Sequence, residues 1–148
     1  MSDIARRNVT LIFATYLANA EYHGPVLRLR RPNDDEEQNF YATADGSLST
    51  SDLGTVSKDG QTYLQYMGGS DISYVVNWYD QSGSSNDAFQ AESSLQPLFS
   101  YRRQLITLSC SSYLRVRRTL AMQIGESHSY TVILSHGKIR GSGTFISR

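Results

Sequence analysis

The sequence has a single cysteine, Cys110, so no intrachain disulfide framework and no Cys-rich zinc site can be built from it. It has no charge excess either: fourteen basic and fourteen acidic side chains give a formal net charge of +0, and the pI is about 6.8. A general nucleic-acid binder normally carries a basic surplus, so the balance argues against that class. No run is long or apolar enough to span a bilayer. Lysine is nearly missing: only Lys58 and Lys138 are lysine, and the other twelve basic residues are arginine. Arginine makes planar, bidentate and stacked contacts, so this bias points to surfaces that meet something. One Trp, ten Tyr and five Phe supply the core that a disordered chain would lack. The 148 residues suit one domain, with no linker or break in composition, and we read 1–148 as a single unit.

Ala5-Arg6-Arg7, the stretch Val9–Ala18 and Ala18-Asn19-Ala20 resemble a signal peptide with its small-residue cleavage site. Thr10, Thr15 and Tyr16 interrupt the apolar run, and Asp3 sits where a positive charge belongs. Ile12, Phe13, Tyr16, Leu17 and Ala20 recur at helical spacing, so a short amphipathic helix is the expectation here.

Beyond it the chain reads as β. Val26–Arg30 alternates, with Leu27 and Leu29 on one face and Arg28 and Arg30 on the other, until Pro32 ends the run. Tyr74–Tyr79 is β-branched and aromatic throughout and predicts a central strand. Gln104–Ser109, Tyr113–Arg117, Tyr130–Ser135 and Gly143–Ser147 predict further short strands. Polar turns separate them at Ala44–Ser51, Lys58–Gly60, Met67–Asp71 and Ser82–Asn86. Short strands at this spacing predict an all-β, antiparallel sandwich with one short N-terminal helix.

Leu27-Arg28-Leu29-Arg30-Arg31 returns as Leu114-Arg115-Val116-Arg117-Arg118. Each copy places two aliphatics inward and two arginines outward if the strand is half buried. The repeat is either convergence on a common amphipathic strand or a paired arginine surface for anionic sugars, phosphate or acidic partners. Asp34-Asp35-Glu36-Glu37 follows the first copy and can neutralise it, within the domain or across an interface. Arg28, Arg30, Arg31, Arg115, Arg117 and Arg118 are therefore the candidate interface residues.

The most distinctive segment is Trp78-Tyr79-Asp80-Gln81-Ser82-Gly83, continued by Ser84-Ser85-Asn86-Asp87-Ala88, Gln90 and Gln96-Pro97. It resembles a recurring module of concanavalin A-like β-sandwiches. It is similar to the N-terminal half of B-class α-L-arabinofuranosidase catalytic domains and to laminin-G-like or lectin-like modules of bacterial surface and viral structural proteins. Tyr22-His23-Gly24-Pro25-Val26, leading into Leu29-Arg30-Arg31, resembles the strand upstream of that module, and the likeness covers roughly residues 14–135. The resemblance implies a concanavalin A-like jelly roll, here shortened. Ser84-Ser85 departs from the Gly-Asn or Asn-Gly usual in that turn. On the residues themselves, Trp78 and Tyr79 face opposite sides of a strand, Asp80 accepts from the amides of the next turn, and Ser82-Gly83 permits a tight reversal. The segment is either an obligatory structural corner or a sugar or Ca²⁺ site formed by Asp80, Gln81 and Asn86.

No catalytic constellation is legible. Glycosidases need two flanking carboxyl groups. In the arabinofuranosidases the catalytic pair lies in the second half of the domain, beyond the stretch matched here. Asp87, Glu92 and Glu126 stand in no recognisable catalytic setting, and His23, His128 and His136 lack ligand spacing. Cys110 has no identifiable base and is read as filling a core gap. We expect no enzyme and no cofactor, Ca²⁺ at the Asp80 corner being the one ion entertained. The leading expectation is a structural or assembly protein of a virus or phage particle, in contact with other structural proteins as a homo- or hetero-oligomer. The alternatives are a carbohydrate-binding module, extracellular or at a cell surface, with Tyr63, Tyr66, Tyr74 or Tyr101 stacking on sugar rings, and lastly a glycoside hydrolase fragment. Neither a nucleic acid nor a membrane is an expected partner.

Overall fold

The computed structural model describes residues 11–50 and 60–116. These form an antiparallel β-sheet with very little helix. Its strands are β1 (Leu27–Arg30), β2 (Glu37–Ala42), β3 (Leu48–Ser49), β4 (Ile72–Trp78), β5 (Ala88–Phe89), β6 (Leu98–Ser100), β7 (Leu105–Thr107) and β8 (Arg115–Val116). One short helix, α1 (Tyr63–Tyr66), and a 3₁₀ turn at Ser93–Leu95 complete the elements. The expected strands Tyr130–Ser135 and Gly143–Ser147 lie outside the described residues.

The sheet runs β3-β2-β1-β4-β5-β8, with β6 also on β4 and β7 on β6. Alternation in β1 decides the faces. Leu27 and Leu29 are fully buried and pair across to Phe40, Gln38, Trp78 and Val75, while Arg28 and Arg30 pair to Asn39, Asn77, Glu37 and Tyr74 on the other face. The register between β1 and β4 slips between Arg28 and Leu29, so Val76 is an extra residue on β4. This bulge lets Val75 and Trp78 both turn toward the core face, although they are three positions apart.

On its other side β4 pairs with what amounts to one interrupted strand. Trp78 and Asn77 oppose Ala88 and Phe89, and Gln90 N donates to Val76 O at 2.8 Å. Val75 N then donates to Pro97 O at 2.8 Å, and Tyr74, Ser73 and Ile72 oppose Leu98, Phe99 and Ser100. Ala91–Gln96 is looped out of an otherwise continuous ladder. Gln96, 5% exposed, closes this loop by donating from Nε2 to Gln90 O (3.1 Å) while its Oε1 accepts from Arg30 Nε (2.7 Å). The outer row repeats the device: β7 pairs with β6, β8 pairs with β5, and residues 108–114 bridge the gap.

The core comprises Val26, Leu27, Leu29, Phe40, Leu48, Tyr63, Met67, Val75 and Phe99. Thr62 caps α1 through a capping box with Gln65, which fixes the angle at which Tyr63 enters the core. The Tyr63 ring packs against Phe40 (5.6 Å between centroids), Phe99 (5.9 Å) and Tyr101 (4.4 Å, stacked), and its hydroxyl donates to Ser73 Oγ at 3.0 Å. Burial pushes that phenol up to about 12.

Two expectations are corrected here. Residues 11–20 form no helix, because their backbone groups bond to the Asp80-Gln81 corner instead of to one another. Cys110 is exposed and fills no core gap, since it sits in a turn where Ser112 N donates to Ser109 O.

Phe40 joins β2 to α1 through its ring contacts with Tyr63 and Tyr66. Phe40→Ala is therefore expected to cost about 3–5 kcal/mol in urea unfolding, against less than about 1 kcal/mol for the exposed Leu108→Ala.

Candidate functional site

Three places hold the residues with chemistry: the corner after β4, the arginine hairpin, and the groove beside the looped-out segments.

The corner begins where β4 ends. Asp80 is 2% exposed. Its Oδ1 accepts from Ile12 N (2.8 Å) and Ser82 N (2.9 Å), and its Oδ2 from Ser82 Oγ (2.7 Å) and Asn86 N (3.1 Å). Gln81 is 0% exposed. Its Oε1 accepts from Ala18 N (2.9 Å) and Asn19 N (3.4 Å), and its Nε2 donates to Tyr16 O (2.9 Å) and Ala14 O (3.4 Å). Asn19 Nδ2 donates to Gln81 O (2.8 Å), Gln81 N to Ile12 O (2.8 Å) and Trp78 Nε1 to Ala14 O (3.0 Å). The Phe13 ring lies 5.3 Å from that of Trp78. Gly83, at φ 86°, supplies the left-handed turn that lets the chain fold back to Asn86. Asn86 is also fully buried. Both amide functions of Gln81 and both oxygens of Asp80 are thus engaged by the chain itself. The corner clamps residues 12–19 by their backbone, and a ligand at Asp80 or Gln81 would have to displace that segment.

The arginine hairpin is equally self-contained. The β1–β2 connection closes with Arg31 N donating to Glu36 O (2.8 Å), and Asp35 sits at φ 60°. Arg28 pairs with Glu37 (2.8 Å) and reaches Asn39 Oδ1 (3.3 Å). Arg30 pairs with Asp35, bonds Gln96, and lies 4.5 Å over the Tyr74 ring. Arg31 grips Asp34 with two nitrogens (2.9 and 2.6 Å), pairs with Glu36, donates to Tyr66 O (2.7 Å), and covers the Tyr66 ring at 4.5 Å. The acidic run therefore neutralises the first arginine strand within the domain. Arg31 beside Asp34 also holds that carboxyl below its ordinary value.

The second arginine copy is less constrained. Arg115 is exposed on β8 and stacks over Tyr113 at 5.3 Å, donating to its hydroxyl at 3.0 Å. Arg117 and Arg118 lie outside the described residues. The aromatics expected to stack on sugars are occupied: Tyr63 is fully buried, Tyr101 stacks on Tyr63, and Tyr74 and Tyr66 lie beneath arginines.

The groove was not legible in the sequence. A shallow cavity of about 420 Å³ lies where the two looped-out segments leave the ladder, lined among others by Phe89, Glu92, Leu95, Tyr113 and Arg115. Tyr113 N donates to Leu95 O (3.1 Å) and Gln90 Nε2 to Tyr113 O (3.3 Å), which ties one looped-out segment to the other. Hydrogen bonds from Gln90 and Arg115 lower the Tyr113 phenol. The looped-out residues carry no periodicity that marks the groove. Among the described residues no group of three or more His, Cys, Asp or Glu side chains is placed to hold a metal ion.

No family model, curated protein or solved structure matches the chain.

The hairpin makes a pH prediction. A depressed Asp34 contributes stability that is present above the ordinary carboxyl value of 3.8 and lost as pH falls through the lower folded value. Carboxyl titration by NMR is expected to place Asp34 below 3.8 in the native chain, and Arg31→Gln to return it toward that value.

Proposed function

We propose that the chain is a non-catalytic structural component of a virus or phage particle, of minor capsid, cement, decoration or fibre type, acting through contacts with neighbouring subunits. The observation that carries this reading is the outer row of the sheet. Among the described residues, β7 pairs with β6 alone and β8 with β5 alone, so this row presents an open edge. Large apolar side chains stand exposed beside it: Leu105 at 43%, Leu108 at 56% and Tyr113 at 36%. Edges of this kind are normally blunted with lysine, proline or inward charge, because they recruit other strands. The likeness of Trp78–Gly83 to concanavalin A-like modules supports the same reading, with this sheet as one layer of such a sandwich. The arginines of β1 serve a hairpin rather than a free anionic partner, which directs attention to the edge.

A carbohydrate-binding module is the second reading, supported by the groove. Phe89 and Tyr113, the latter beneath Arg115, line it, and Glu92 faces the same space as Arg115, so the lining carries both signs of charge. Such a lining suits a neutral polyhydroxylated ring better than an anion.

Sedimentation velocity on the full chain, with and without coat proteins of its particle, and a glycan array test the two together. Self-association or coat-protein binding with a blank array is the expected result. A stable monomer that ignores coat protein and binds glycans overturns the assembly reading in favour of the second.

A further inference from the structure

The β7 edge has a hydrogen-bonding parity that can be read from its neighbours. Val75 N donates to Pro97 O and Tyr101 N to Asp71 O, so residues 97, 99 and 101 turn their backbone groups toward β4 and the residue preceding it. Leu98 and Ser100 must then turn toward β7, where they oppose Thr107 and Leu105. Tyr101–Gln104 forms the four-residue turn between the strands, closed by Gln104 N donating to Tyr101 O (3.2 Å) with Gln104 at φ 49°. It follows that Leu105 and Thr107 spend their backbone groups on β6. Ile106 sends its N–H and C=O outward, and Leu108 does the same if the strand continues one residue further.

The edge is uncharged from Gln104 through Tyr113, with arginine only at the preceding turn, Arg102-Arg103. The side chain of Ile106 lies on the core face, opposite Phe99, while Leu105 and Thr107 lie on the other face.

Resting on the assembly reading above, we propose that the subunit-joining element is β7 itself, and that its occupant is β7 of a second copy, antiparallel across a two-fold axis. An isologous contact needs a self-complementary patch, and this one meets the condition. Ile106 opposite its counterpart exchanges two backbone hydrogen bonds, and Gln104 C=O opposite Leu108 N–H adds one on each side of the axis. Leu105 then meets Thr107 of the other copy, and the two Ile106 side chains extend the core face from one copy to the next. Because the strands run antiparallel, the Arg102-Arg103 turns fall at opposite ends of the contact, so like charges do not meet. A basic or acidic partner strand finds no complement along this edge, which is why a second copy is the better fit.

The test combines sedimentation over a concentration series with amide hydrogen exchange at Ile106 and Leu108, using the full chain. A dimer is expected whose Ile106 amide becomes more protected as concentration rises. Leu105→Lys and Leu108→Pro each alter a side chain already exposed, and each is expected to weaken the dimer about tenfold or more while the far-UV circular dichroism and melting temperature of the monomer hold. Self-association unchanged in both variants overturns the edge contact but leaves the assembly reading standing. A monomer that still binds coat protein does the same. An Ile106 amide protected equally at every concentration shows the edge covered within the chain and also overturns the proposal. A monomer that binds neither itself nor coat protein removes both.

Discussion

The described fold is organised around one requirement: the backbone polar groups of Tyr74–Trp78 lie between neighbours on both sides and must find partners there. An unpaired amide or carbonyl in such a place costs about as much as a lost hydrogen bond. β1 satisfies one side and the interrupted β5–β6 strand the other. The bulge at Val76 keeps both ladders in step while turning Val75 and Trp78 to one face. The interruption at Ala91–Gln96 then propagates outward, because the next row must leave the ladder at the same place. The groove is a consequence of that propagation.

Charge is organised by the same economy of position. The neutral total conceals close local pairing: Arg28, Arg30 and Arg31 are matched to Asp34, Asp35, Glu36 and Glu37 within one hairpin. Exposed pairs of this type add little stability. Their effect here is directional, since stacking on Tyr74 and Tyr66 and bonds to Gln96 and Tyr66 O tie the hairpin to β4, to the looped-out segment and to α1. These three arginines reach surfaces, but the surfaces belong to the same chain.

The alternation of Leu27 to Arg30 and the β-branched run Tyr74–Trp78 made the two central strands legible, because period two with one buried face leaves few other arrangements. The corner was legible as a corner: Asp80 accepts from the following turn and Gly83 makes the reversal. What it clamps was hidden, since nothing local in Gln81 says that its amide will bind a segment more than sixty residues away in sequence. The same long-range bonds defeated the helical spacing of Ile12 to Ala20, where propensity lost to tertiary contacts. β2 was masked by the acidic run at its start, although Phe40 between Asn39 and Tyr41 carries the alternation. The groove could not be read at all, because it arises from two interruptions that meet only in space.

The corner is where the account is most exposed. The Gln81 amide is fully committed to residues 14–19, and Asp80 binds Ile12 and its own turn, so that the Trp78–Gly83 segment is a clamp on the chain's own N-terminal part. Amide hydrogen exchange in Gln81→Leu tests this directly. The predicted result is loss of protection at Ala18 and Asn19 while the amides of β1 and β4 stay protected. Unchanged exchange at Ala18 and Asn19 would contradict it.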